Sequence, residues 1–218
     1  MLSYTEENYI KAIYKLSQEG DGAVNTNAIA EVMQTKAASV SDMLRRLNDK
    51  EIINYVKYRG VTLTEAGRKT ALQLVRKHRL WEVFLVDKLK FNWDEVHEVA
   101  EELEHITSEL MIRRLDEFLG YPKYDPHGDP IPTEDGLMTM KQQVLLSELE
   151  PGQAGIVMGV KDSQPLFLQH LDKIGIYLGA KIKVTDKVEY DNSLEINLDN
   201  KKQLSLSAEV SKNIFVSA

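Results

Sequence analysis

The sequence predicts a mainly helical α+β chain in three parts: a winged helix-turn-helix over residues 1–72, a helical module over 73–140 and a small SH3-like β-barrel over 147–218. Three observations carry this reading. A short helix, a tight turn and a helix that opens with small polar residues come first, followed by an alternating hairpin. Stretches of helical periodicity rich in histidine and glutamate come next. The chain then switches to short, turn-bounded runs of period two.

Thr5 is a fitting N-cap for T-E-E-N-Y-I-K-A-I-Y-K-L-S, with Glu6 and Glu7 in the first turn, where the helix dipole favours acids. Asn25 or Thr26 caps N-A-I-A-E-V-M. Gln34-Thr35-Lys36 then turns into A-A-S-V-S-D-M-L-R-R-L-N-D-K, with Val40, Met43, Leu44 and Leu47 facing inward. Small residues at the front of this helix, Ala38 among them, let it sit deep in a major groove. There Ser39, Ser41 and Asp42 reach base edges, and Lys36, Arg45 and Arg46 reach phosphates. The run from Ile52 to Tyr58 alternates like a strand, turns at Arg59-Gly60 and returns through Val61-Thr62-Leu63, a wing with Lys57 and Arg59 near its tip. A plain three-helix packing leaves that hairpin unexplained.

The net charge of −7 argues by itself against a nucleic-acid partner. Its distribution argues otherwise, because Lys36 to Lys69 holds 8 basic against 4 acidic residues while 73–146 holds 9 against 15.

Ala66 to Leu89 reads as one long helix carrying His78 and Glu82 at i, i+4 spacing, on one side. Asp94 caps a second helix from Glu95 to Ile106. At about 100° per residue, His97, Glu101, Glu104 and His105 fall in one arc beside the apolar Val96, Val99, Ala100, Leu103 and Ile106. Imidazoles and carboxylates without thiolates suit a divalent first-row ion from manganese to zinc. A solvated acidic face with two incidental histidines fits the same residues, and this stretch alone does not choose. Leu110, Met111, Leu115, Phe118 and Leu119 add more apolar surface than the module can hide, so a helical dimer interface is expected. The loop from Tyr121 to Gly136 holds four of the six prolines and fixes His127 between Pro126 and Gly128, a ligand or a solvated histidine. Five short strands follow, at 155–160, 180–184, 193–198, 203–206 and 214–216, with one helix from Pro165 to Ile174.

Absence of cysteine removes disulfides, zinc–thiolate sites and thiol catalysis. No apolar run approaches the ~20 residues of a membrane span, and the acidic start is unlike a signal peptide. A cytoplasmic protein that engages no membrane is expected. No nucleophile–base constellation or phosphate loop is present, so the expectation is a regulator and not an enzyme. A metal-independent winged-helix regulator and a non-haem metalloenzyme are the competing readings.

The motifs R-K-H-R-L-W-E at 76–82, V-H-E-V-A-E-E-L-E-H at 96–105 and D-P-H-G-D-P-I-P at 125–132, in this three-part order, resemble the diphtheria-toxin-repressor (DtxR/MntR) family of metal-dependent transcriptional repressors. The resemblance implies a homodimer that binds double-stranded operator DNA when loaded with Mn²⁺ or Fe²⁺, repressing metal-uptake genes, and a FeoA-like third domain. It implies a primary site at Glu101, Glu104 and His105 with Asn8 from the first helix. An ancillary site falls at His78, Glu82 and His97. In some manganese-type members His78 instead joins the primary site, and Glu82, the residues at Asp125 and His127 and a barrel carboxylate, here Asp162, form the second. Glutamate at 101, where iron-type members carry cysteine, leans toward manganese. Asparagine at position 8 and lysine at position 11 depart from the manganese-type pattern, which has aspartate at the first and in some members an acid at the second.

Overall fold

The computed structural model describes residues 2–20, 22–56, 59–138 and 142–217. The chain divides into two compact units. One holds Met1–His78, Glu102–Ser108 and Pro132–Leu137, and the other holds Arg79–Glu101, Glu109–Ile131 and Met138–Ala218.

In the first unit, α1 (Tyr4–Glu19) starts at a capping box two residues before the expected Thr5 cap. Ser3 Oγ accepts from Glu6 N at 3.3 Å, and Glu6 Oε2 accepts from Ser3 N at 2.9 Å. Ser3 therefore satisfies the first orphan amides and Thr5 falls inside the helix. Asn25 caps α2 (Thr26–Val32), its Oδ1 accepting from Ala28 N at 2.8 Å. Helix α3 (Ala37–Asp49) buries Val40, Leu44 and Leu47. Together with Ile10, Ile13, Ile29, Ile53 and Leu74 they make a core of fully buried side chains, each worth about 1.5–3 kcal/mol of apolar burial.

The hairpin is β1 (Ile53–Val56) and β2 (Gly60–Leu63), in antiparallel register from Ile53 opposite Leu63 to Val56 opposite Gly60. Val24 bridges to Val61 through two 2.9 Å hydrogen bonds, so β2 is flanked on both sides. Gly60, at φ +96°, lies against the Val24 carbonyl, which leaves no room for a side chain. Helix α4 (Glu65–Leu89) then runs from this unit, as far as His78, into the second.

In the second unit, α6 (Glu109–Phe118) buries Ile112, Leu115 and Asp116 while exposing Leu110, Met111 and Phe118. The third segment is a six-stranded antiparallel sheet, one strand more than the sequence shows. It contains β3 (Gln143–Leu145), β4 (Ala154–Val160), β5 (Lys181–Lys187), β6 (Leu194–Leu198), β7 (Lys202–Leu206) and β8 (Ile214–Ser217), in the order β3-β8-β4-β5-β6-β7. The added strand β3 is three residues long, too short to show an alternation. The register of the sheet shifts at Val157/Gly159 and Val184/Asp186, bulges that bend and twist a sheet. Its interior is sealed by α7 (Pro165–Ile174), with Pro165 at the helix start and Gly175 in the left-handed cap. Trp93, from the turn after α4, is buried in the same apolar cluster.

The expected helix from Glu95 to Ile106 is shorter in the structure. Helix α5 covers Val96–Leu103, and Ile106 N bonds to Leu103 O at 3.2 Å in a turn. Glu104 and His105 therefore belong to that turn and not to a continuing helical arc, although both are buried. Among the described residues no helix is long and apolar enough to cross a membrane.

Two outcomes follow from these contacts. Lys50, at the C-cap of α3, donates to both carboxylate oxygens of Glu6 at 2.7 and 2.9 Å, tying α1 to α3. Lys50 first, then the Ser3 amide, hold the Glu6 carboxyl below the usual carboxylate range. A lowered folded value means that the stabilisation is complete above the unfolded value and is lost as pH falls through the folded one. Lys50→Met is expected to cost about 0.5–1 kcal/mol in urea unfolding near neutral pH, since one partner is largely solvated, and less as Glu6 becomes protonated. A pH-independent difference would contradict the assignment. At Gly128, φ is +91° and a Cβ would overlap the Met158 carbonyl oxygen. Gly128→Ala is therefore expected to cost about 2–3 kcal/mol in the same measurement, and an unchanged midpoint would contradict the tight packing of that loop.

Candidate metal centre

Each unit gathers its own cluster of imidazoles and carboxylates. In the first unit the cluster is built on one face of α1, where Glu7 and Lys11 stand one helical turn apart. His105 Nδ1 lies 2.6 Å from Glu7 Oε2, and the Tyr4 ring stacks on the imidazole at 4.7 Å. Glu104, 1% exposed, places a single oxygen, Oε2, 2.6 Å from His78 Nδ1 and 2.6 Å from Lys11 Nζ. The remaining side of that triangle, Lys11 Nζ to His78 Nδ1, is 3.3 Å. Glu104 accepts from the ammonium, and as a carboxylate it requires the His78 proton on Nδ1. Lys77 lies behind the cluster and donates to the Ile106 carbonyl at 3.3 Å. Burial pulls its ammonium below the usual lysine range, while Glu7 and Glu104 oppose that shift.

In the second unit Glu82, Asp125 and His127 bring one ligand atom each within 4.8 Å of one another, all buried. The Pro-rich loop makes this possible. Asp125 Oδ1 accepts from the amides of His127 and Asp129 at 2.8 and 2.9 Å, closing a turn that aims the imidazole inward. His127 Nε2 is 2.8 Å from the Trp93 carbonyl, an acceptor only, so Nε2 carries a proton and Nδ1 is the nitrogen presented to Glu82 Oε1, 3.7 Å away. Locking one ring nitrogen to a carbonyl is how ligand histidines are oriented. Burial opposes charge on His127, but Glu82 and Asp125 outweigh it and push its value up to about 9. Asp125 is pushed up to about 7 by burial and by the Glu82 and Asp129 charges, against Arg79 and His127. His97, 62% exposed, lies 3.5 Å from Glu82 and 3.6 Å from Glu101. Arg79 closes the loop by bonding to the Pro130 carbonyl, Asp129 at 3.1 Å and Asp125 at 3.3 Å.

The donor sets fit a divalent ion of borderline to hard character. They are oxygen- and nitrogen-only, buried, and strongly acidic for their exposure. The structure locates the other residues singled out in the sequence as follows. Asn8 is half-buried on α1 beside Glu7, and Asp162 is half-buried with its Oδ1 accepting from Gln164 N at 2.9 Å, in the turn before α7. On α3, Lys36, Ala38, Ser39, Asp42, Arg45 and Arg46 are exposed, with Asp42 and Arg45 paired at 2.8 Å. Ser41 is half-buried and donates back to the Ala37 carbonyl at 3.0 Å. Arg59 is exposed at the hairpin, and Lys57 lies outside the described residues.

Glu7 and Arg79 are participants that sequence reasoning did not single out, and Lys11 stood in it only as a departure from the manganese-type pattern. The signal for Glu7 and Lys11 was their i, i+4 spacing on a helix whose opposite face is core. Arg79 gave no comparable signal, since its partners lie about fifty residues away.

Comparison with known proteins bears directly on these clusters. Residues 1–61 match the family model for the iron dependent repressor N-terminal DNA binding domain, and residues 64–133 match its metal binding and dimerisation domain. Residues 144–218 match the FeoA domain. The iron-dependent repressor IdeR of Mycobacterium tuberculosis is 38% identical over 128 residues, 59% of this chain, and that match spans about half (55%) of the relative's length. The diphtheria toxin repressor of Corynebacterium diphtheriae is 29% identical over 85% of this chain and 83% of its own. A solved manganese-dependent transcriptional repressor in complex with manganese superposes with a TM-score of 0.85 at 34% identity, covering 97% of this chain and 98% of that one. The manganese regulator SloR superposes at 0.70 with 32% identity and 97% coverage of each. By the fold of its DNA-binding, metal-binding and FeoA parts and by this likeness over nearly its whole length, the chain belongs to the iron-dependent repressor family.

Proposed function

We propose that this chain is a metal-activated, DNA-binding transcriptional repressor of metal-uptake genes, acting as a homodimer, with Mn²⁺ the better fit and Fe²⁺ the alternative. The observation that supports it best is the double engagement of α1. That helix buries Ile10 and Ile13 in the core of the DNA-binding unit, and from its other face presents Glu7 to His105 and Lys11 to Glu104.

The proposed ligands are Glu7, His78, Glu104 and His105 at one site and Glu82, Asp125 and His127, with His97 beside them, at the other. Glu101, three residues before Glu104, and Asn8, next to Glu7, are the further donors that the family resemblance implies. Asp162 is a barrel candidate for the second. An oxygen-rich set without thiolate favours the harder ion. A bound divalent ion supplies two positive charges at one fixed point. Glu7 from α1, with Glu104 and His105 from the turn after α5, then hold α1 in a single position. The form of the DNA-binding unit with α1 so held gains population.

The exposed apolar residues of α6, Leu110, Met111 and Phe118, form the two-fold interface. Dimerisation would set two copies of α3 about one helical turn of DNA apart, roughly 34 Å or a multiple. Lys36, Arg45, Arg46 and the wing residues Lys57 and Arg59 would meet phosphates, while Ser39, Ser41 and Asp42, admitted by the small Ala38, would face base edges.

The test is binding to a duplex from the gene's own upstream region, in chelator and then with Mn²⁺ or, anaerobically, Fe²⁺. Wild type is expected to require metal. Glu104→Ala is expected to lose about 100-fold or more of the metal-dependent affinity, at least what loss of a metal ligand's supporting partner costs. Equal binding by wild type in chelator would contradict the reading and leave a metal-independent regulator. Arg46→Ala should weaken binding uniformly across sequences and reduce the salt slope by about 1, and a sequence-selective loss would assign Arg46 to base readout instead.

A further inference from the structure

The triangle of Lys11, His78 and Glu104 places an ammonium against the two ligand atoms that would hold a metal ion. Both contacts to Glu104 converge on the same oxygen, Oε2, at 2.6 Å, and Nζ also lies 3.3 Å from His78 Nδ1. An ion bonded to Oε2 and Nδ1 would sit about 2.0–2.2 Å from each. On the ammonium's side of that pair the ion would overlap it, and elsewhere around the pair the two like charges would still repel at close range, so Lys11 in this position opposes a bound ion. The Lys11 side chain is 19% exposed, on the margin of a site whose carboxylate is 1% exposed, and its four-carbon stem gives it a route to water.

We propose that Lys11 is a tethered counter-cation that fills the first site when metal is absent and must be displaced for a divalent ion to bind. It thereby sets the metal concentration at which the protein switches. This deepens the metal-site reading and rests on it.

Glu104 is the group that needs a cation. A carboxylate this buried is costly without a partner. A lysine supplied by the chain itself removes that cost in the metal-free protein, so the site can remain folded while empty of metal. The same lysine opposes metal uptake, because its pairing with Glu104 has to be broken first. Chain-borne competition lowers affinity by the factor by which the lysine favours the occupied arrangement. Lys77, further back and bonded to the Ile106 carbonyl, cannot take over the triangle without giving up that bond.

The experiment is Mn²⁺ titration of the full chain, following the EPR signal of unbound Mn²⁺, for wild type, Lys11→Met and Lys11→Arg, beside thermal melts in chelator. Lys11→Met keeps the stem and removes the charge. It is expected to bind Mn²⁺ at least about tenfold tighter at one of the sites and to melt lower than wild type in chelator, since a buried carboxylate has lost its partner. Lys11→Arg keeps the charge, is expected to stay folded in chelator, and should bind Mn²⁺ no tighter than wild type. Unchanged or weaker binding by Lys11→Met would overturn the proposal. Tighter binding by both variants would also overturn it, because charge would not be the cause. If Lys11→Met folds only with metal present, the metal-free arm fails as the proposal expects, and Lys11→Arg then decides it. Failure of the wild type itself to take up Mn²⁺ would overturn the underlying metal-site reading together with this one.

Discussion

Glu104 is a carboxylate with 1% of its side chain exposed, set among groups that carry or can take up positive charge. An ion this poorly hydrated is tolerated only when something cationic stands against it. The turn after α5 puts it there, α4 brings His78 to it, and α1 brings Lys11. Glu104, His78 and Lys11 all belong to the same compact unit as the recognition helix. Whatever cation satisfies Glu104 thus bears on the placement of α1, and α1 is tied to α3 through Glu6 and Lys50.

The two clusters solve the same electrostatic problem with different cations. In the second, Arg79 is held by the Pro130 carbonyl, Asp129 and Asp125 at once, and His127 is pinned through the Trp93 carbonyl. A planar guanidinium with several fixed acceptors is built to stay. That leaves Glu82, Asp125 and His127 as a preorganised set beside which Arg79 remains. In the first cluster the cation is a lysine on a flexible four-carbon stem, 19% exposed, with a route to water. The contrast accords with the displaceable role proposed for Lys11 at the first site.

Much of this was legible in the sequence because it rests on local signals. The helix-turn-helix followed from small residues at the start of α3 and an alternating run behind it, and the barrel from short turn-bounded strands. His78 and Glu82 on one helix, and His127 fixed between proline and glycine, follow from spacing. The termination of α5 at Leu103 was not legible, since the apolar period continues to Ile106 and only the turn geometry reveals the break. The contacts of Glu7 and Lys11 were hidden for a different reason. Their partners, His105 and Glu104, lie more than ninety residues away, and no periodicity reports a contact of that separation. Strand β3, three residues long, gave too little pattern to register.

The most direct measurement is a crystal structure of the Mn²⁺-loaded chain phased to show manganese by its anomalous scattering. The account predicts an anomalous peak bonded to Glu104 Oε2 and His78, with the Lys11 ammonium turned away toward solvent. A peak confined to the Glu82, Asp125 and His127 cluster, with Lys11 still on Glu104, would contradict it.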